Sequence, residues 1–166
     1  FGSKTELLRA MFVNYIEEEA QMGEAVVSNP PPDMSTGMAA LFSRYLRGMA
    51  QKCPPRLLQE FMSLAVSRQF AYGQQTYQMK LRFLEQVRAL AVHYKNAGQI
   101  REDVSVDEAA AACYSAAALP LAMFSVAKTL DMEMAERMLG RQISLVISGV
   151  GTRTCPSGEG PSKSAQ

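Results

Sequence analysis

Phe1-Gly2-Ser3-Lys4-Thr5-Glu6-Leu7-Leu8 opens the chain on a helix-start signal. Ser3 and Glu6 stand at the S-x-x-E spacing of a capping box. The serine oxygen can accept the amide of Glu6 while the glutamate reaches back to the amide of Ser3. Leu8, Phe12, Tyr15 and Ile16 then recur at helical spacing. They predict one long amphipathic helix over 3–27. Asn29-Pro30-Pro31-Pro32-Asp33 ends it, because prolines lack the amide donor and fix an extended path.

The same reasoning runs outward along the chain. Met38, Leu41, Phe42, Tyr45 and Met49 share a stripe over 35–52, stopped by Cys53-Pro54-Pro55. Pro55 suits the first turn of the next helix, 55–70, with Leu58, Phe61, Met62 and Ala65 on one face. After Gly73, a helix over 74–97 puts Leu81, Leu84, Val87 and Ala91 inward, and Gly98 follows as a left-handed C-terminal cap. Ser105 and Glu108 repeat the capping box before an alanine-rich helix, 106–129, that contains Pro120. Asp131 caps the last helix, whose apolar seam is Ala135, Leu139, Ile143, Val146, Ile147 and Val150. The expectation is an all-α, six-helix body over 1–150, followed by a frayed, disordered Gly/Ser/Pro tail over 151–166.

Composition narrows the functional classes. At 166 residues with 48% hydrophobic and 20% charged content, the chain reads as one globular domain. A net charge of +1 supplies no field that would draw this segment to nucleic acid or to a membrane surface. No apolar run approaches the ~18 to 20 residues of a membrane span. Cys53, Cys113 and Cys155 are odd in number and widely spaced, which fits a reducing cytoplasm better than a disulfide framework. The single histidine, His93, leaves no material for a histidine metal cage or a Ser-His-Asp triad. Glu17-Glu18-Glu19 point in different directions around a helix and read as a solvated face; a di-iron bundle needs paired Glu-x-x-His motifs. The expectation is therefore no enzyme, no metal and no cofactor.

The opening stretch Phe1-Gly2-Ser3-Lys4-Thr5-Glu6-Leu7-Leu8 resembles the aromatic-x-(Ser/Asn)-Lys-x-(Glu/Asp)-Leu-Leu junction of tetracycline-repressor-like (TetR family) regulators. In that family it joins the DNA-reading helix to the ligand-binding body. Ala97-Gly98-Gln99-Ile100-Arg101-Glu102-Asp103-Val104, with Asp107 and Ala109-Ala110, resembles the turn between the family's seventh and eighth helices. The two final apolar helices, ending at Gly149, resemble its dimerisation pair. The resemblance implies that the helix-turn-helix lies before Phe1, that residues 1–8 form its junction, and that the last two helices build a dimeric four-helix bundle. It also implies a repressor released by a small effector, and makes Lys4 a DNA-phosphate contact. A lysine beside a helix N-terminus suits that role, although an ordinary exposed first-turn lysine is the alternative.

Phe12, Tyr15, Phe42, Tyr45, Met49, Phe61 and Met62 are the candidate lining of an effector chamber, completed by Ala65, Leu81, Leu84, Cys113, Ala117 and Leu121. Eleven methionines favour a chamber that adapts to hydrophobic ligands. The alternative for any one of them is plain core packing. Tyr15, Tyr45, Tyr77 and Gln69 are candidate polar anchors; Arg88 either binds an acidic ligand or pairs with a carboxylate. Cys113 could sense oxidation only if exposed with a lowered pKa. Ala135, Leu139, Ile143, Val146 and Ile147 are expected to join the alanine helix in a patch too apolar for a lone monomer, and hence in a two-fold homodimer interface. The expected partners are a second copy, a small hydrophobic effector and, through the upstream heads, DNA. The rivals are a helical small-molecule enzyme or carrier, and a dimeric interaction module without a pocket.

Overall fold

A computed structural model of the chain describes residues 23–52, 73–126 and 131–152, together with Glu6, Ala10, Glu18, Ala20 and Gln21. A first helix ends at residue 28. It is followed by α1 (Met34–Lys52), α2 (Gly73–Asn96), α3 (Val106–Val126) and α4 (Met132–Val150). The protein is all-α: among the described residues the only β pairing is an isolated bridge between Ile100 and Gly151. The helix expected over 55–70, the tail beyond Thr152 and the candidate residues Lys4, Phe12, Tyr15, Phe61, Met62 and Ala65 lie outside the described residues. None of the described helices is long and apolar enough to cross a membrane.

The local signals act as their chemistry requires. Asp33 caps α1 by accepting the Thr36 amide at 2.7 Å. Ser105 and Glu108 close the capping box of α3: the Glu108 amide donates to Ser105 Oγ at 3.2 Å, and the Ser105 amide to Glu108 Oε2 at 2.8 Å. Asp131 caps α4 through the Met134 amide at 2.7 Å. Gly98, at φ +72°, ends α2 in a Schellman motif, with Gln99 N–H on Tyr94 O and Gly98 N–H on Lys95 O. α3 continues through Pro120 without the amide that would have bonded the Ala116 carbonyl.

The four bounded helices form a ring, α1 against α2, α2 against α3, α3 against α4 and α4 back against α1. The core fills its centre. α1 contributes Met34, Met38, Leu41, Phe42 and Leu46; α2 contributes Phe83, Val87, Leu90, Ala91 and Tyr94. Ala109, Ala110, Cys113 and Ala117 of α3 close the third side. The inward stripe of α2 is therefore rotated from the expected one. Val87 and Ala91 face in, but Leu81 and Leu84 are only half-buried.

The α4 seam expected at a dimer interface is covered by its own chain at three of its five positions. Ala135, Leu139 and Ile143 are completely buried within the single chain, and Val146 and Ile147 pack half-buried against the same core. A side chain already covered by its own α1 and α3 has no surface to offer a second copy. The outward sides of α3 and α4 carry other apolar groups: Leu145 is 64% exposed, Leu119 55%, Met134 43% and Met123 38%. α4 is also tied to α1 by a two-pronged Arg47–Glu136 ion pair at 2.5 and 2.9 Å.

One turn collects three chain segments. The Gln99 side-chain amide donates to Pro32 O at 2.7 Å, and its oxygen accepts the Met34 amide at 2.8 Å. Tyr94 Oη donates to Pro31 O at 2.8 Å. Burial, with Asp33 nearby, raises the Tyr94 phenol above its ordinary pKa. On the other side, Thr152 N–H reaches Gln99 O, and Arg101 bonds Val150 O through its amide and Gly149 O through Nη1. The Lys95 ammonium caps the carbonyls of Arg101, Glu102 and Val104. The proline turn, the α2–α3 turn and the end of α4 are thus one hydrogen-bonded corner.

Candidate effector site and its link to the first helix

Where α1, α2 and α3 meet, three aromatic rings gather around Phe83. Phe42 meets it edge-on at 5.2 Å between centroids, Tyr45 lies tilted at 4.1 Å, and Tyr114 at 5.8 Å. Helical spacing explains the set: positions 42 and 45 are three apart on α1, and both turn toward the same stretch of α2. Cys113 and Ala117 lie in the same buried cluster. Of the predicted lining, then, Phe42, Tyr45, Cys113 and Ala117 come together. Phe83 and Tyr114 complete the group and were missing from the expectation. Side-chain positions for Met49 and Leu121 lie outside the described residues.

Polar groups are few here, and each is placed. Tyr45 Oη donates to Gln86 Oε1 at 2.6 Å. Gln86 Nε2 donates in turn to the backbone carbonyl of Ala20 in the first helix, at 2.7 Å. Gly23 makes this approach possible, because a Cβ there would collide with the Gln86 amide. One side chain of α2 therefore connects the aromatic cluster with the first helix. Gln86 was not anticipated: a glutamine on a charged helix looks like surface until a partner 66 positions away is known.

The chemistry offered is recognition rather than bond-making. The Tyr114 phenol is raised by burial, and burial also pushes the Cys113 thiol up to about 11. A thiol held protonated in the core is not a redox sensor, so that alternative fails. Arg88 pairs with Asp107 at 2.7 Å, which settles it as an ion-pair partner. No cluster of three or more metal-ligating side chains occurs among the described residues.

Outside Gln86 a cleft of about 570 Å³ opens between the first helix and α2, bordered by Ala20, Glu24, Val27, Arg82, Glu85 and Gln86. Among the described residues, none of its lining belongs to the predicted chamber. Comparison with known proteins adds nothing to this arrangement. No family model, curated protein or solved structure matches the chain.

Proposed function

We propose that the chain is the effector-binding and dimerisation body of a TetR-like transcriptional regulator: a cytoplasmic homodimeric repressor that performs no catalysis. The observation that carries this reading is the Tyr45–Gln86–Ala20 connection. It joins an aromatic junction suited to a hydrophobic ligand to the helix that leads back toward residue 1. A ligand that separates Tyr45 from Gln86 changes what holds the first helix, and a shift of that helix moves whatever precedes it. In a dimer reading two half-sites about 34 to 36 Å apart, such a shift alters DNA affinity, and DNA alters ligand affinity reciprocally. Driving the equilibrium nearly completely from one state to the other takes about 5.5 kcal/mol of differential binding.

The dimer face assigned to this body is the outward side of α3 and α4, with Leu119, Met123, Met134 and Leu145, in place of the buried seam. Leu145→Glu should convert a dimer to a well-folded monomer in sedimentation velocity; an unchanged dimer removes that face. For the sensor, a panel of hydrophobic small molecules is screened by thermal shift. A ligand at 100 times its Kd adds about 2.7 kcal/mol, a rise of roughly 5 to 11 °C for a domain of this size.

A second reading has its own support. Phe42, Cys113 and Ala117 are fully buried, which favours a dimeric interaction module with a filled core. A flat response across the panel, with the dimer intact, selects it. A helical enzyme or carrier is the weaker rival: the only histidine in the chain, His93, is exposed on α2, its ring edge-on to Tyr94 at 5.0 Å.

A further inference from the structure

Gly23 stands within the first helix, where glycine is a poor choice of residue. Alanine in its place favours the helical state about five-fold over glycine. The backbone does not call for glycine either, because among the described residues only Gly98 has a positive φ. The reason for Gly23 has to lie in what rests against it.

The three atoms nearest to a Cβ at position 23 all belong to the Gln86 amide: Oε1 in outright collision, Cδ at 2.9 Å and Nε2 at 3.1 Å. This is the amide that accepts from Tyr45 Oη and donates to Ala20 O. Gly37 differs in what would have to move. A methyl group there runs into the ring of the fully buried Tyr94. At Gly23 it meets the far end of a half-buried, rotatable side chain, which can swing away and leave the core alone. Alanine at position 23 is compatible with the fold and incompatible with the Tyr45–Gln86–Ala20 link.

We propose that Gly23 is the positioning residue of that link: helix stability is forgone at this position so that the Gln86 amide can lie on the first helix. The inference rests on the effector reading of the aromatic junction, and it names the position that decides whether an event at Tyr45 reaches the first helix. Gly23 acts only through Gln86. In a Gly23→Ala chain the amide swings off Ala20, and the aromatic junction and the first helix become independent of each other. Such a chain keeps its fold and loses the connection.

The test is a double-mutant cycle of Gly23→Ala and Gln86→Ala on the 166-residue chain, read by urea denaturation, with circular dichroism to confirm the helix content. With Gln86 truncated nothing opposes the methyl group, and Gly23→Ala should raise the folding equilibrium constant about five-fold. With Gln86 present that gain should disappear or reverse, because the two hydrogen bonds of the amide are lost. Gly140→Ala in α4, where a Cβ meets nothing within 4 Å, is the control and should gain about as much in either background. A second readout separates the link from plain packing. The side-chain amide NMR signal of Gln86, assigned by its absence in Gln86→Ala, should exchange with water several-fold faster in Gly23→Ala than in the parent. A Gly23→Ala gain of equal size in both backgrounds, or a Gln86 amide as protected as in the parent, overturns the proposal. A flat thermal-shift panel beside a non-additive cycle removes the effector and leaves Gly23 positioning a structural tie. An additive cycle removes the inference whatever the panel shows.

Discussion

Gly37→Ala tests the corner where α1 begins. A methyl group at this position overlaps the Tyr94 hydroxyl and comes within 2.8 Å of Cζ, well inside van der Waals contact. Tyr94 is completely buried and donates to Pro31 O, so its ring cannot withdraw without breaking that bond and disturbing Leu90 and Ala91 beside it on α2. Overpacking of this kind costs about 1–3 kcal/mol. Losing the hydrogen bond to the half-buried Pro31 carbonyl adds about 1–1.5 kcal/mol. Against this, alanine in a helix interior gains about 1 kcal/mol over glycine. The expected net destabilisation is about 1 to 3.5 kcal/mol, read by urea denaturation, with a melting point lower by roughly 2 to 14 °C. Tyr94→Phe alone loses only the hydrogen bond. Combined with Gly37→Ala it should recover part of the loss, since the hydroxyl is gone but Cζ stays close, giving a coupling of about 1 kcal/mol in a double-mutant cycle. A Gly37→Ala variant as stable as the parent would refute the steric argument.

Other perturbations follow from the same coordinates. Cys113 should resist iodoacetamide at pH 8 in the native protein and react once urea is added, as read by peptide mass spectrometry. Because its folded pKa is raised to about 11, this group's stabilising contribution is complete below about pH 9 and is lost as pH rises toward 11. The Glu108 carboxyl is held below its usual range, first by the Ser105 hydroxyl and then by the Ser105 amide. The stability it contributes is present above the ordinary glutamate range and disappears as pH falls through the lower folded value. Ser105→Ala should move the Glu108 NMR titration midpoint upward; an unmoved midpoint denies the hydroxyl its role. Leu139→Glu should unfold the chain by stranding a charge in the core, with loss of the cooperative melting transition. Folded monomers from that variant would restore the seam as an interface.

What could be read from the sequence was local. Asp131, the Ser105–Glu108 box and Gly98 act on amides within five positions, so residue type and spacing suffice to place them. The proline run ended the first helix for an equally short-range reason. The choice of face on α2 was not legible. Leu81, Leu84, Val87 and Ala91 satisfy helical spacing as well as Phe83, Val87, Leu90 and Tyr94 do, and only contacts with α1 and α3 decide between them. The α4 seam shows the same limit from the other side. Ala135, Leu139 and Ile143 announce a covered face, but periodicity does not say whether their own chain or another copy covers it. Gln86 and Gln99 were invisible because an amide side chain takes its meaning from its partners, and theirs lie 66 and 65 positions away.

The hydrogen-bonded corner formed by Pro31, Pro32, Gln99 and Gly149 has a geometric consequence. It stands near one end of the first helix and fastens that end to the close of α4, as a mast is stepped into a keel. Deflection at a fixed foot is small; at the top it is multiplied by length. Any lean of that helix therefore grows with distance from the corner, while the bundle beneath keeps its place.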